Sequence, residues 1–335
     1  MRDSSTMRSF ALAGAGLGLV AAIVFASATT GPMFIRFLLL FITPLPIALA
    51  GLGWGWRAGA LAGGVGSAIV FLTAGPLVAL AFALTQVVPM VALTYFALLS
   101  RPIHESDDGA EDDGSGLEWY PTGRLILWAA GMGAAMAAAS MLLLGGDVES
   151  LRKTLGEFMQ AAVTAGMPQA EGQIGEAELA ALSEIALAVL PAASAMSWMS
   201  SLLFNLWLAG RVTRASGQLA RPWPDLAAIT YPPGTPLAFG AALVLTMLPG
   251  IPGLAASAAT GGLFVAYVLL GLAVVHYISR TKPWRPFALW ALYATLLIVN
   301  IWIAIVIAIL GLAETVFRLR ERSHLPPSPP THPNT

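Results

Sequence analysis

Cysteine is absent from this 335-residue chain, which excludes disulfide bonds, thiolate nucleophiles and cysteine-held metals together. The same absence leaves the redox compartment open. Histidine occurs only at His104, His276, His324 and His332, too few and too scattered for a histidine-rich metal site or an acid-base centre. Charge is scarce as well: 10% of residues are Asp, Glu, Lys or Arg, against about 25% in an ordinary soluble domain. With 17 cations against 18 anions, no basic stripe exists to neutralise phosphates, so no nucleic-acid partner is expected. No Walker loop is present either, and any ATP-driven role needs a partner ATPase.

Long apolar runs take the place of what is missing. Between Phe37 and Ser100 the only charge is Arg57, and about 20 apolar residues in a helix already cross the roughly 30 Å hydrocarbon layer. The fold class is therefore all-α, a polytopic transmembrane helix bundle of eight or nine spans with one amphipathic helix added. The chain reads as a four-helix membrane unit over 1–100, an acidic flexible loop over 101–122, a second membrane unit over 123–317 and a disordered tail over 318–335. The first apolar run, Phe10 to Ala28, follows Arg2 and Arg8 and ends in Ala26-Ser27-Ala28. That ending fits a signal peptide, but its length and the spans that follow favour a retained helix.

Small residues mark candidate packing faces. Gly55, Gly59 and Gly63 recur every four residues and stack on one helix face; Ala11 with Ala15, and Gly14 with Gly18, do the same on the first helix. Gly131, Ala135 and Ala139 predict a third such face on the fifth span. Trp54 and Trp56 flank Arg57 at the end of an apolar run, which fits a headgroup-depth turn with the cation as an anchor. Pro44 and Pro46 break one helix ladder and Pro89 breaks another beyond Gln86. Backbone freed in this way must find partners in protein or in a wet cavity.

Polar groups inside the spans define the candidate cavity. Ser194, Ser197, Trp198, Ser201 and Asn205 follow three- and four-residue steps, so they share one face of the sixth span, either bonded to another helix or lining a solute site. Gln86, Trp198, Asn205 and Asn300 are the expected cavity-lining residues. No catalytic residue, metal site or cofactor is expected, because no acid, base and nucleophile cluster at membrane depth. Enzyme chemistry is not expected.

The remaining segments read as connectors. Residues 147–163 alternate apolar Val148, Leu151, Leu155, Phe158 and Met159 with charged Glu149, Arg152, Lys153 and Glu157, giving an amphipathic helix that lies on the bilayer or lids the bundle, or else an ordinary packed connector. The apolar region 235–279 is about 67 Å as one helix, so it folds back at Leu248 to Gly253. A last helix is expected from about Pro286 to Leu312, with Glu314 and Arg318 pairing beyond it. Nine spans with a cytoplasmic N-terminus place 11 of the 17 Lys and Arg inside but leave Arg318, Arg320 and Arg322 outside; eight spans expel Arg280, Lys282 and Arg285 instead. The two counts tie.

Four stretches carry a family resemblance: Thr43-Pro-Leu-Pro46, the glycine-rich turn at Arg57, Leu270-Gly-Leu-Ala-Val-Val-His-Tyr277 and Leu310-Gly-Leu-Ala-Glu-Thr-Val-Phe-Arg318. Together they resemble the YybS-like family of bacterial membrane proteins, with the acidic loop at 101–122 as a departure. More distantly, the first helices are similar to the substrate-capture subunits of energy-coupling-factor transporters. That resemblance implies a solute-binding subunit in the bacterial inner membrane, with small residues of the first helix, here Ala11 and Ala15, docking on a coupling partner. The alternative is a membrane scaffold or assembly factor with no solute. The expected partners are the lipid bilayer and a membrane protein, either a coupling subunit or an assembly complex; a small-molecule ligand belongs only to the first reading.

Overall fold

In the computed structural model, which describes residues 4–29, 31–103, 116–166, 175–299 and 301–322, helices account for nearly all regular structure. Seven of the described helical stretches are long and apolar enough to cross a membrane: Ser9–Ser27, Met33–Trp54, Trp56–Ala74, Pro76–Ala97, Thr122–Leu144, Ala180–Ala215 and Ile251–Ile278. The all-α polytopic bundle read from the sequence is thus observed. Shorter apolar helices cover Thr235–Leu245, Arg285–Ile298 and Ile301–Phe317. Most of the acidic loop, residues 104–115, and the tail beyond Arg322 lie outside the described residues.

The chain forms two compact units, one of residues 1–224 with 239–263 and one of 225–238 with 264–335. In the first, α1 (Ser4–Ser27) packs along α4 (Trp56–Ala74). Contact is made through Gly18, where a Cβ would overlap the Ala62 carbonyl, and Gly14, where a Cβ would lie 2.8 Å from Leu61. Helix α2 (Met33–Ile42) stops at Thr43-Pro44 and the chain resumes as α3 (Leu45–Trp54), as the prolines require. A second interruption lies between α5 (Pro76–Phe82) and α6 (Val88–Ala97), where Ala83–Val87 widens into a π-helical turn. Short strands β1 (Ser100–Pro102) and β2 (Leu117–Trp119) pair antiparallel, with Arg101 bonded to Glu118.

Helix α7 (Thr122–Leu144) runs against the 40-residue α9 (Glu176–Ala215). Gly133 sits on the Ala195 carbonyl, 2.8 Å from where its Cβ would lie, while Gly131, Ala135 and Ala139 face outward. Between them α8 (Val148–Gly166) inserts Leu151 and Leu155 beside Met141 and Leu187. On its other face Arg152 bonds both Glu149 and Glu184, and the hydrogen bond to Glu184 raises the Arg152 pKa. The amphipathic segment therefore packs on the ends of α7 and α9. After α9, Arg211 and Arg214 stack on Trp223 at 5.6 and 5.5 Å, and Arg221 donates to the Ala97 carbonyl at 3.2 Å and to Thr122 Oγ1 at 3.1 Å. Burial lowers the Arg221 pKa.

Helices α10 (Thr235–Leu245) and α11 (Ile251–Ile278) fold back through residues 246–250, as the length argument required. In the second unit the stretch 225–234, which holds one 3₁₀ turn at Leu226–Ala228 and no α-helix, runs beside the C-terminal half of α11. Asp225 pairs with Arg280, and Tyr231 donates to the Ala266 carbonyl at 2.6 Å, twelve residues or about 18 Å before the end of α11. Helix α12 (Arg285–Val299) and helix α13 (Ile301–Phe317) replace the single last helix expected from 286 to 312; Asn300 itself lies outside the described residues. Helix α13 meets α11 where Gly271 faces the Ile307 carbonyl and Gly311 faces the Tyr267 carbonyl, each with no room for a Cβ. The helices cross at Tyr267 to Gly271, and beyond that crossing both Arg280 and Arg320 lie over the Tyr277 ring, at 5.5 and 5.7 Å, so α13 ends where α11 ends and runs in the same direction. The chain returns between them, and both basic groups, 280–285 and 318–322, lie at one end of this unit.

The expected Glu314–Arg318 pair is not formed. The helix stops at Phe317, Arg318 takes a positive φ of 50°, and the reversal into α14 (Leu319–Arg322) brings Arg320 back instead. Its Nε donates to Glu314 at 2.8 Å, and its two terminal nitrogens donate to the carbonyls of Ala227 and Ile229 at 2.8 and 2.9 Å. Arg320 thus satisfies the carbonyls of a stretch that has no helix ladder of its own.

The exposed Asp225–Arg280 pair makes a small, pH-dependent contribution. The Arg280 hydrogen bond holds Asp225 below the usual carboxylate range, so its stabilisation is full above about pH 4 and fades as pH falls through the lowered folded value. Asp225→Asn is expected to cost about 0.5 kcal/mol at neutral pH and nothing in acid, read from thermal midpoints across pH.

Candidate functional site

The last four carbonyls of a helix have no partner inside it, and the Thr43-Pro44 break places that of Phe41 in the first unit's interior. Two side chains of α9 converge on it. Ser201 Oγ donates to the Phe41 carbonyl at 2.6 Å and Asn205 Nδ2 donates to the same oxygen at 2.7 Å. Asn205 Nδ2 also reaches the Ser201 carbonyl at 2.7 Å. Thr43 is buried and returns its hydroxyl to Leu39 at 2.8 Å. Asn205 is fully buried, and its Oδ1 accepts no hydrogen bond from the described residues.

A second amide is held on the other interrupted helix. Pro89 supplies no N–H, so the preceding turn loses a ladder bond and widens around Gln86. Gln86 is fully buried; among the described residues its Nε2 donates to the neighbouring Thr85 Oγ1, at 3.3 Å, while its Oε1 accepts nothing. Thr85 is itself turned to the Ala81 carbonyl at 2.8 Å. No hydrogen bond joins Gln86 to Asn205 among the described residues.

The other expected positions divide. Trp198 lies half-buried on the α9 face that carries Ser201 and Asn205, and Asn300 lies outside the described residues. Ala11 and Ala15 face away from the bundle, which α1 meets through Gly14 and Gly18. Gly59 packs against Gly51, where an added Cβ would lie 3.1 Å from Cα, and Gly63 packs against Val87. Gly55, with φ 91° and open space around it, forms the turn between α3 and α4. Sequence reasoning located the polar face of α9 and the broken ladder separately. It missed that one satisfies the other, because a backbone acceptor leaves no residue-type signal. It missed Arg320 because the helix end at Phe317 lacks a Gly or Pro stop.

No group of three or more His, Asp or Glu able to hold a metal occurs among the described residues. Chemically the two positions offer neutral acceptors in an apolar setting: amide oxygens without donors among the described residues, beside hydroxyls already committed to backbone.

Residues 19–315 match the family described as predicted membrane protein (DUF2232), and the chain belongs to that family. No curated protein matches it. No solved structure matches it either.

Proposed function

We propose that this membrane protein is a transport-related, solute-binding subunit without an ATPase of its own. The observation that carries the reading is the two fully buried amides, Gln86 and Asn205, each with an acceptor oxygen that no donor among the described residues fills. Such an acceptor costs about 1–3 kcal/mol when left unmade, and polar groups inside membrane helices are retained chiefly for use. Gln86 stands in a helix interruption and Asn205 bonds to the carbonyl freed at another, the kind of discontinuity around which transporters build midplane sites. The solute is then a neutral molecule with hydrogen-bond donors, since no charged side chain accompanies the amides. Ala11 and Ala15, outward on α1, supply the face for a coupling partner.

A scaffold with no solute is the second reading. It is favoured by the bonds of Ser201 and Asn205 to Phe41, which make the polar face of α9 a latch between helices.

In either case the reading places the protein in the bacterial inner membrane with its N-terminus cytoplasmic. The return of the chain between α11 and α13 supports this, because fourteen of the 17 Lys and Arg, all but Arg36, Arg152 and Lys153, then fall on the cytoplasmic side.

Native mass spectrometry of the gently released protein tests the function. A stoichiometric small molecule, lost from the Gln86→Leu, Asn205→Leu double variant, is the expected result. A protein partner retained without any small molecule would move the assignment to the scaffold.

A further inference from the structure

At one end of the second unit, six cations meet three carboxylates. Arg280 pairs with Asp225, Arg320 with Glu314 and Arg318 with Glu321 at 3.6 Å. Lys282, Arg285 and Arg322 have no carboxylate partner among the described residues, and Lys282 and Arg322 are exposed. The loop and the turn that carry them are tied to the same short stretch, Arg280 to Asp225 and Arg320 to the Ala227 carbonyl, so the three charges sit on neighbouring segments.

Directly beside this charge is an aromatic edge. Trp284, Phe287 and Trp290 are 52%, 73% and 70% exposed, far beyond what a buried helix face shows. Large aromatic rings next to unpaired cations fit headgroup depth, where rings seat at the acyl boundary and cations meet phosphate. We propose that this end of the second unit is a binding surface for anionic phospholipid, with Lys282, Arg285 and Arg322 on the phosphate and the aromatic edge against the chains. A free phosphate ion uses the cations and leaves the rings without a role, so the lipid is the occupant that accounts for both.

Each cation near an anionic surface strengthens association about fivefold, and three act together. The full chain is reconstituted with phosphatidylcholine, with and without phosphatidylglycerol, then released into the mass spectrometer with its retained lipid. Phosphatidylglycerol is expected to stay bound in preference to phosphatidylcholine. The Lys282→Gln, Arg285→Gln, Arg322→Gln variant is expected to retain at least about tenfold less phosphatidylglycerol. Lys153→Gln, which removes an exposed cation of α8 in the other unit, should leave retention unchanged. Equal retention by the triple variant, equal loss in Lys153→Gln, or displacement of the lipid by inorganic phosphate alone would each overturn the proposal.

Discussion

Arg320→Ala is expected to destabilise the purified protein by about 3–5 kcal/mol, the range for breaking a buried ion pair by removing one partner. Arg320 and Glu314 are 9% and 8% exposed, so the substitution strands a carboxylate away from water. It also removes the donors to the Ala227 and Ile229 carbonyls, in a stretch where no helix ladder replaces them. Arg320→Lys should recover only part of the loss, because an ammonium does not present the planar fork that reaches three acceptors. The double variant Glu314→Gln, Arg320→Met should be milder than Arg320→Ala, since it leaves no charge behind. Scanning fluorimetry in detergent reads all three, and equal midpoints for Arg320→Ala and the parent would show that the clasp is not formed in solution.

The second large effect lies where α11 meets α13. Gly271→Ala and Gly311→Ala each place a methyl on a backbone carbonyl, of Ile307 and of Tyr267, and neither neighbour is a side chain that can rotate away. Each is expected to cost about 1–3 kcal/mol, and the helices must separate to accommodate it. Gly131→Ala is the informative contrast, because nothing lies within 4 Å of its added Cβ. There the gain in helix propensity, about 0.5–1 kcal/mol, is unopposed. A glycine substitution that stabilises α7 beside two that destabilise the α11–α13 contact identifies which glycines are packing surfaces.

That contrast also shows what the sequence made legible. Prolines wrote the helix breaks at Thr43-Pro44 and around Gln86, because a missing N–H acts locally whatever the surroundings. Length alone required the fold-back after Leu245, since 45 apolar residues cannot cross once. The choice of packing face was not legible. On α1 both Ala11–Ala15 and Gly14–Gly18 are small and four apart, and the structure uses the glycines; on α7 it uses Gly133 rather than the stripe of Gly131, Ala135 and Ala139. Where every side of a helix is apolar, periodicity carries no direction and the neighbouring helix decides. The last span failed for a related reason: 286–312 is apolar but for Thr295 and Asn300, and neither the division into α12 and α13 nor the reversal at Arg318 carries a Gly or Pro signal. That reversal changed the charge pairing from Arg318 to Arg320.

The central claim is that the buried amides belong to a solute site rather than to a sealed helix contact. The absence of cysteine allows a direct test, because any introduced thiol is the only one in the chain. Gln86→Cys and Asn205→Cys are placed singly in membrane vesicles and treated with a small, water-soluble thiol reagent. A site that admits polar solute predicts modification at both positions and protection by the solute that the parent retains. Thiols that stay unmodified while the protein remains folded would contradict the claim and leave the latch between α9 and Phe41 as the role of the polar face.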